Sequence, residues 1–570
     1  MILQGEGVSK GIVIAKVFLL KNYDIKIEKK IIKSVDLEIQ KLEKAINLSV
    51  EQIEKIKTIA FKNLKQEDIK IFDAHIQLVK DPILKQEIID EIVKTKLNSE
   101  FVVKKIFQKY IDIFLNSDYQ YIGQRTSDIE DISQRIILNL LGITKENLSD
   151  INEEVIIVAN DLSASEILNF NPKFVKGFIT NVGGKSSHLA ILSRSLNIPA
   201  ILGLKDISSK IKQGDILALD GTTGKVYINP SKQIIEQLKK EIKKENDLKI
   251  KLEKFKSKSF ISKDRNVFKI CSNINSINDI DYIRDINVDG IGLFRTEFMY
   301  MDSNNWPSED KQFKIYKTIL KKMKNKKVII RTLDIGADKK LQYFNFDKED
   351  NPFLGCRSIR FSLNQKNLFK TQLKALIRAS EFGELSIIFP MITTIEEFQE
   401  AKNIFDQLYQ DYQKQYPNFS TKIEIGLMIE TPAAAINCQI FCKYADFVSI
   451  GTNDLIQYTM AVDRTNQKLK YLYQPLNPAV LNLIKMVVDS ANKENKSVSL
   501  CGEMASDLKT IPILIGLGLK QFSISIDSIL ATKELISRIN VIDAQDLANK
   551  CLKAQSEKEV IEIINKNRKW

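Results

Sequence analysis

The sequence predicts an α/β multidomain protein: an α/β domain interrupted by an inserted helical bundle, then a linker helix, then a C-terminal (β/α)8 TIM-type barrel. Three observations carry this expectation. Glycine is almost absent from about residue 31 to 141, where apolar residues recur at helical spacing. Short apolar runs separated by turns flank that stretch on both sides. After Ser257 a strand, loop and helix theme repeats about eight times over roughly 300 residues, the size and rhythm of a (β/α)8 barrel.

The chain opens on a glycine turn, Gly5-Glu6-Gly7-Val8-Ser9-Lys10-Gly11, that feeds a strand through Val13, Val17 and Leu19. Ile39, Leu42, Ile46, Val50, Ile53 and Ile56 then mark a helix face, and similar stripes recur at 71–78, 88–93 and 101–115. From Glu154 buried strands return, at Val155–Ala159, 177–180, Ile216–Asp220 and Lys225–Ile228. Pro230 closes this domain, and the mixed-charge, helix-favouring residues 232–256 read as the linker. The expected boundaries are 1–21 with 146–230 for the α/β domain and 22–145 for the helical insert. The linker takes 231–260 and the barrel 261–570. Candidate barrel strands lie at 268–271, 290–294, 328–333, 386–390, 423–429, 447–450 and 498–500, with a short one near 356–359.

Composition narrows the function. At 570 residues the chain exceeds one ordinary domain, and 44% hydrophobic with 28% charged residues is the balance of a folded soluble protein. No apolar run is long enough to span a bilayer and no secretory leader is evident, so a cytoplasmic protein without a membrane partner is expected. Six cysteines are too sparse for a disulfide framework. Cys438 and Cys442 have no histidine nearby to complete a zinc site. The net charge of +13 comes from lysines interleaved with acids along the whole chain, with no basic face carrying aromatics. That pattern argues against nucleic acid, whose binding would weaken steeply with salt.

The chemistry concentrates in a few places. Gly183-Gly184-Lys185-Ser186-Ser187-His188 leads into Leu189-Ala190-Ile191-Leu192, a glycine turn followed by a helix start. His188 is one of only two histidines. At a helix N-terminus an imidazole that attacked a phosphoryl group would find the product anion stabilised. The other, His75, sits among apolar helical neighbours and reads as structural. Arg295, Arg331 and Arg357 are expected at strand ends, and Arg464 follows the Gly451-Thr452-Asn453-Asp454 loop. Four guanidinium groups at one barrel mouth would repel each other unless an anion bound there, and their forks suit carboxylate and phosphate. Glu430 and Asp454, from adjacent strands, are the sparse carboxylate pair that Mg²⁺ takes when substrate oxygens complete its shell. Cys501, expected to end the last strand, could deliver a proton at the mouth. An anion with both carboxylate and phosphate, whose phosphoryl group goes to a histidine and whose enolate then needs a proton, matches phosphoenolpyruvate.

These residues stand in Gly-Gly-x-x-Ser-His ending at His188, Gly-x-x-Arg-Thr-Glu-Phe ending at Phe298, and Arg331-Thr-Leu-Asp-Ile-Gly. Asn351-Pro-Phe-Leu-Gly, Glu430-Thr-Pro-Ala-Ala, Gly451-Thr-Asn-Asp-Leu with Tyr458, and Cys501-Gly-Glu follow in order. In this ordered set, over essentially its whole length, the chain resembles enzyme I of the bacterial sugar phosphotransferase system, the phosphoenolpyruvate–protein phosphotransferases. The resemblance implies that His188 is the phosphorylated nucleophile and Cys501 the proton donor. It implies that Arg295, Arg331, Arg357, Arg464, Asn453, Asp454 and Lys339 bind substrate, and that Glu430 and Asp454 bind Mg²⁺. It further implies a helical insert that docks the phosphocarrier HPr to drive sugar uptake, a barrel that forms a homodimer, and a His188 domain that swings between them. Five positions depart from the family pattern: Lys10 and Ala164 stand for prolines, Ile167 for a threonine, Ala337 for a glycine, and Cys356 for an aromatic. A pyruvate-phosphate dikinase or phosphoenolpyruvate synthase would share the histidine domain and barrel but needs an ATP-binding domain, for which the short N-terminal region leaves no room. A scaffold that had lost turnover would be expected to lack His188, an arginine or a metal ligand, and none is missing.

Overall fold

In the computed structural model the chain forms two compact units, Met1–Asp247 and Leu248–Trp570. The structure describes all residues except 21–26, 64–65, 116–121, 144–147, 149–150, 163–165, 167–169, 172, 185–186, 337–338, 340, 342 and 568–569. For some residues inside helices, His188 among them, it describes the backbone alone. The departures at Ala164, Ile167 and Ala337 lie outside the described residues.

The first unit is built on a mixed eight-stranded sheet. Its strands are β1 (Ile2–Gln4), β2 (Glu6–Ser9), β3 (Ile12–Leu19), β4 (Val155–Ala159), β5 (Val175–Thr180), β6 (Ala200–Leu202), β7 (Ile216–Asp220) and β8 (Lys225–Ile228). They lie in the order β1-β8-β7-β3-β4-β5-β6-β2, with β3 to β6 mutually parallel and the outer pairs antiparallel. Between β3 and β4 come the helices Val35–Asn63, Gln66–Val79, Pro82–Thr95, Ser99–Leu115 and Ile122–Leu141. Every residue of β4 is buried because both faces of the sheet are covered. Alternation divides them: Val155, Ile157 and Ala159 share one core with Leu42, Ile53, Val103 and Ile132 of the helices. Ile156 and Val158 share another with Val17, Ile179, Leu217 and Leu219. His75 is buried in the helical layer, its Nε2 3.2 Å from Asp128 Oδ1 and its ring edge-on to Phe72. A structural role fits that setting. The helix Lys232–Glu253 follows β8.

The second unit is a closed barrel of eight parallel strands: β9 (Lys269–Ile274), β10 (Gly290–Arg295), β11 (Lys327–Arg331), β12 (Leu385–Phe389), β13 (Glu424–Ile429), β14 (Phe447–Gly451), β15 (Ser497–Cys501) and β16 (Gln521–Ile524). Leu293, Ile329, Ile388, Met428, Phe447 and Cys501, one from each of six successive strands, pack together as a separate small cluster. Alternate residues of the same strands join the large core with the surrounding helices, the two-layer packing of such barrels.

Two expectations about the strands are corrected. Residues 356–359 are not a strand: β11 pairs directly with β12, Val328 opposite Leu385, so no further strand fits between them. Ser358 instead takes a left-handed conformation, φ 54°, and the helix Ile359–Asn364 begins at once. The eighth strand is β16, which closes the barrel between β15 and β9, so Cys501 ends the seventh strand.

Phe522 of β16 is 1% exposed and packs on Phe268. Phe522→Ala is expected to destabilise the barrel by about 3–5 kcal/mol. Both tryptophans, Trp306 and Trp570, lie in this unit, so urea unfolding followed by intrinsic fluorescence reads the barrel alone; an unchanged midpoint would contradict the closure by β16.

Candidate active site

The mouth of the barrel is assembled from strand ends. Arg295 is the last residue of β10, Arg331 of β11 and Cys501 of β15. Glu430 follows β13 directly, and Asn453 and Asp454 lie in the first turn of the helix Thr452–Thr459 that follows β14. Arg357 and Lys339 are not strand residues. They belong to the long connection between β11 and β12, folded back by Gly336, whose φ of 100° only glycine adopts easily and whose missing Cβ leaves room for Arg357.

The guanidinium groups do not depend on an incoming anion to hold them apart, because buried carboxylates interleave with them. Arg331 Nη2 lies 2.5 Å from Glu297 Oε1 and 2.8 Å from Asp334 Oδ2. Lys339 Nζ lies 2.6 Å from the same Asp334 oxygen and 3.0 Å from the same Glu297 oxygen. Arg357 reaches Asp334 at 3.4 Å, Asp454 at 3.0 Å and Tyr458 Oη at 3.1 Å. Arg464 Nη1 stands 3.6 Å from the other Asp454 oxygen. Arg295 is half-buried and, among the described residues, has no ion-pair partner. Asn453 Oδ1 accepts from the Glu503 N–H at 3.0 Å.

Burial alone would push Asp334 up, but Arg331, Lys339 and Arg357 outweigh it and hold its carboxyl well below the usual range. Burial likewise opposes charge on Arg331, and Asp334, Glu297 and Glu430 together reverse that and raise its pKa. Glu430 has the opposite balance. Burial, then the like charges of Asp454 and Asp334, push it up to about 8, against a pull from Arg331 and one hydrogen bond from the Met391 N–H. Gly451 makes this site possible, since a Cβ there would stand 2.5 Å from Glu430 Oε2. Burial also raises the Cys501 thiol, so it is held as S–H; it lies within weak hydrogen-bond reach of Ser449 and the Ile450 carbonyl.

His188 lies in the other unit. It is the first residue of the helix His188–Ser195, capped by Ser187, whose hydroxyl accepts from the Ala190 N–H at 3.2 Å. The sequence reading passed over Glu297 and Asp334, although each is an acid within three residues of a strand-end arginine. Cys356, beside Arg357, has its N–H bonded to Glu349, and Lys10 is exposed in the turn between β2 and β3. Cys438 and Cys442 stand 3.7 Å apart as buried thiols, and no cluster of three ligating side chains occurs among the described residues.

Comparison with known families now places this architecture. Models of the PEP-utilising enzymes match it three times: their N-terminal region at residues 4–125, their mobile domain at 151–224 and their PEP-binding domain at 249–541. A phosphoenolpyruvate-protein phosphotransferase of Mycoplasma capricolum is 45% identical over 99% of this chain and 98% of its own. Those of Priestia megaterium and Bacillus subtilis are each 42% identical, over 99% of this chain and 98% and 99% of theirs. The barrel and its cation-rich mouth are thus those of a phosphoenolpyruvate-utilising transferase. Within that class the chain belongs to the phosphoenolpyruvate-protein phosphotransferases, enzyme I.

The raised Glu430 has a measurable consequence. A carboxyl whose folded pKa lies above its unfolded value binds more protons when folded, so the stability it contributes is full below about pH 4.5 and is lost as pH rises toward about 8. Fluorescence-monitored melting of protein treated with a chelator should show the barrel transition falling across that window. Glu430→Gln should flatten the fall, and an unaltered slope would remove Glu430 as its cause.

Proposed function

We propose that the chain moves the phosphoryl group of phosphoenolpyruvate to His188 with Mg²⁺ at Glu430 and Asp454, releases pyruvate, and then passes the phosphate to an HPr-type carrier. The observation that carries the reading is the anion cradle at the barrel mouth, where Arg331, Arg357 and Lys339 surround a buried carboxylate hub. Arg295, Arg331, Arg357, Arg464, Lys339 and Asn453 would hold the phosphate and carboxylate.

A divalent ion fits the residues present. Glu430 is buried beside Asp454 with its charge suppressed, the condition that a cation relieves. Two carboxylates with substrate oxygens and water form the usual Mg²⁺ shell. When bound, Mg²⁺ supplies stabilisation of charge on the transferring phosphoryl oxygens.

The chain's own residues account for the rest. The bond from phosphorus to the enol oxygen breaks as one forms to a His188 nitrogen, and the leaving oxygen keeps the electron pair as an enolate. The cations hold the oxygens in place and favour the charge as it shifts. The enolate carbon takes the Cys501 proton to give pyruvate, and solvent restores the thiol. The helix start at His188 favours the phosphohistidine. His188 would travel on the domain of residues 1–21 and 146–230, which the linker at 231–260 joins to the barrel, and the insert, 22–145, would dock the carrier. The relatives' name already specifies a protein acceptor. Sugar uptake would be the downstream process, and the cytoplasm the setting; no helix among the described residues is long and apolar enough to cross a membrane.

The test is incubation with phosphoenolpyruvate and Mg²⁺, then mass spectrometry under conditions that preserve phosphohistidine. One metal-dependent phosphate on His188 is expected. His188→Ala should abolish it while leaving substrate binding by the barrel intact, and Cys501→Ser should slow pyruvate release more than it weakens binding. Phosphate on His75, or full turnover in Cys501→Ser, would overturn those assignments.

The barrel, 261–570, would also carry a homodimer interface. Ile436, Ile440 and Tyr444 recur every four residues and are exposed, with exposed Met486 on the helix Pro478–Lys493. Sedimentation should give a dimer that Ile440→Asp with Tyr444→Asp drives toward monomer; an unshifted dimer would place the interface elsewhere.

A further inference from the structure

We propose that Glu297 and Asp334 are positioning residues, a buried carboxylate pair that holds Arg331 and Lys339 in fixed register for the transferring phosphoryl group. The proposal rests on the reading that these two cations bind phosphoenolpyruvate. Both carboxylates have side chains only 2% exposed. Each contacts both cations, so the four groups close a ring: Arg331 to Glu297 and Asp334, Lys339 to the same two. Asp334 also extends the ring to Arg357.

The ring is tied to the backbone at several points. Glu297 opens the short helix Glu297–Met301, and the hydroxyl of its neighbour Thr296 donates to the Arg331 carbonyl at 2.9 Å. The Ser358 hydroxyl donates to the Asp334 carboxylate. Lys339 sits in the loop after β11, where its backbone N–H and carbonyl pair with those of Gly336 and its ammonium contacts Glu297, the Asp334 carboxylate and the Asp334 carbonyl. A long flexible amine in a loop keeps one geometry only if fixed acceptors define it.

The pattern of satisfied and unsatisfied atoms separates positioning from mere neutralisation. Glu297 Oε2 and Arg331 Nε are both buried without a hydrogen-bond partner. A pair optimised for stability would use both in a bidentate fork. Glu297 instead offers one oxygen to two cations, leaving its second oxygen unpaired, so Arg331 and Lys339 share a reference point. Its negative charge meanwhile lies where it repels an incoming anion. The carboxylates therefore weaken ground-state binding while they fix the groups that act on the transferring phosphate, and only the second effect speeds turnover.

The full-length chain tests this through Glu297→Gln, which keeps the shape and removes the charge. Phosphoenolpyruvate binding is read by calorimetry and phosphoryl transfer by rapid quench. Binding is expected to hold or tighten by up to ~10-fold while transfer slows by ~10–100-fold, a split that a structural role would not produce. Glu297→Asp, which keeps the charge but withdraws it by one methylene, should melt with the wild type and still slow transfer. Transfer within two-fold of wild type in both variants would overturn the proposal. So would a parallel loss of binding and melting temperature, which marks a structural ion pair only. Undiminished binding after Arg331→Ala would instead overturn the assignment of Arg331, and the proposal with it, even if the Glu297 variants were slow.

Discussion

The barrel mouth depends on the burial of Asp334 among three cations. Removing a carboxylate and three positive groups from water is costly for each alone, and becomes tolerable only because each supplies the counter-charge of the others. Asp334 meets Arg331, Lys339 and Arg357 at once, so the β11 strand end, the Gly336 turn and the loop carrying Arg357 must arrive together. The closed barrel presents the strand end, and the positive φ of Gly336 and of Ser358 brings the rest of the loop back over it. A mouth rich in cations is thereby organised around an anion of its own.

Much of this could be read from residue order. Continuous apolar runs marked the strands covered on both faces, and helical periodicity marked the insert between β3 and β4, because both patterns follow from which side of an element meets water. Where those rules failed, the cause is visible in the packing. β16 is faint in the sequence because Ser523, fully buried, meets Asn273 of the neighbouring strand β9 and donates to its side chain at 2.5 Å. A polar pair inside the barrel breaks the apolar signature that a strand is expected to carry. The strand expected at 356–359 would have set a strand end at Arg357. Its position is set by a left-handed Ser358, and serine gives no such warning in sequence.

The charged residues show a different limit. Arginines at a mouth advertise an anion, but the acids that organise them look like ordinary surface residues until their burial is known. Glu297 and Asp334 were in plain view beside the arginines, yet only distances reveal that each serves two cations. Motif order, by contrast, was sufficient to reach the family, because membership depends on many residues recurring together and not on the environment of any one.

The seating of Cys501 bears on its durability. The residue is 1% exposed, packed with Leu293, Ile329, Ile388, Met428 and Phe447, and held as the neutral thiol. Oxidants and alkylating agents react with thiolates that they can reach. This cysteine is therefore shielded from bursts of peroxide that disable proteins built on exposed, acidic thiols.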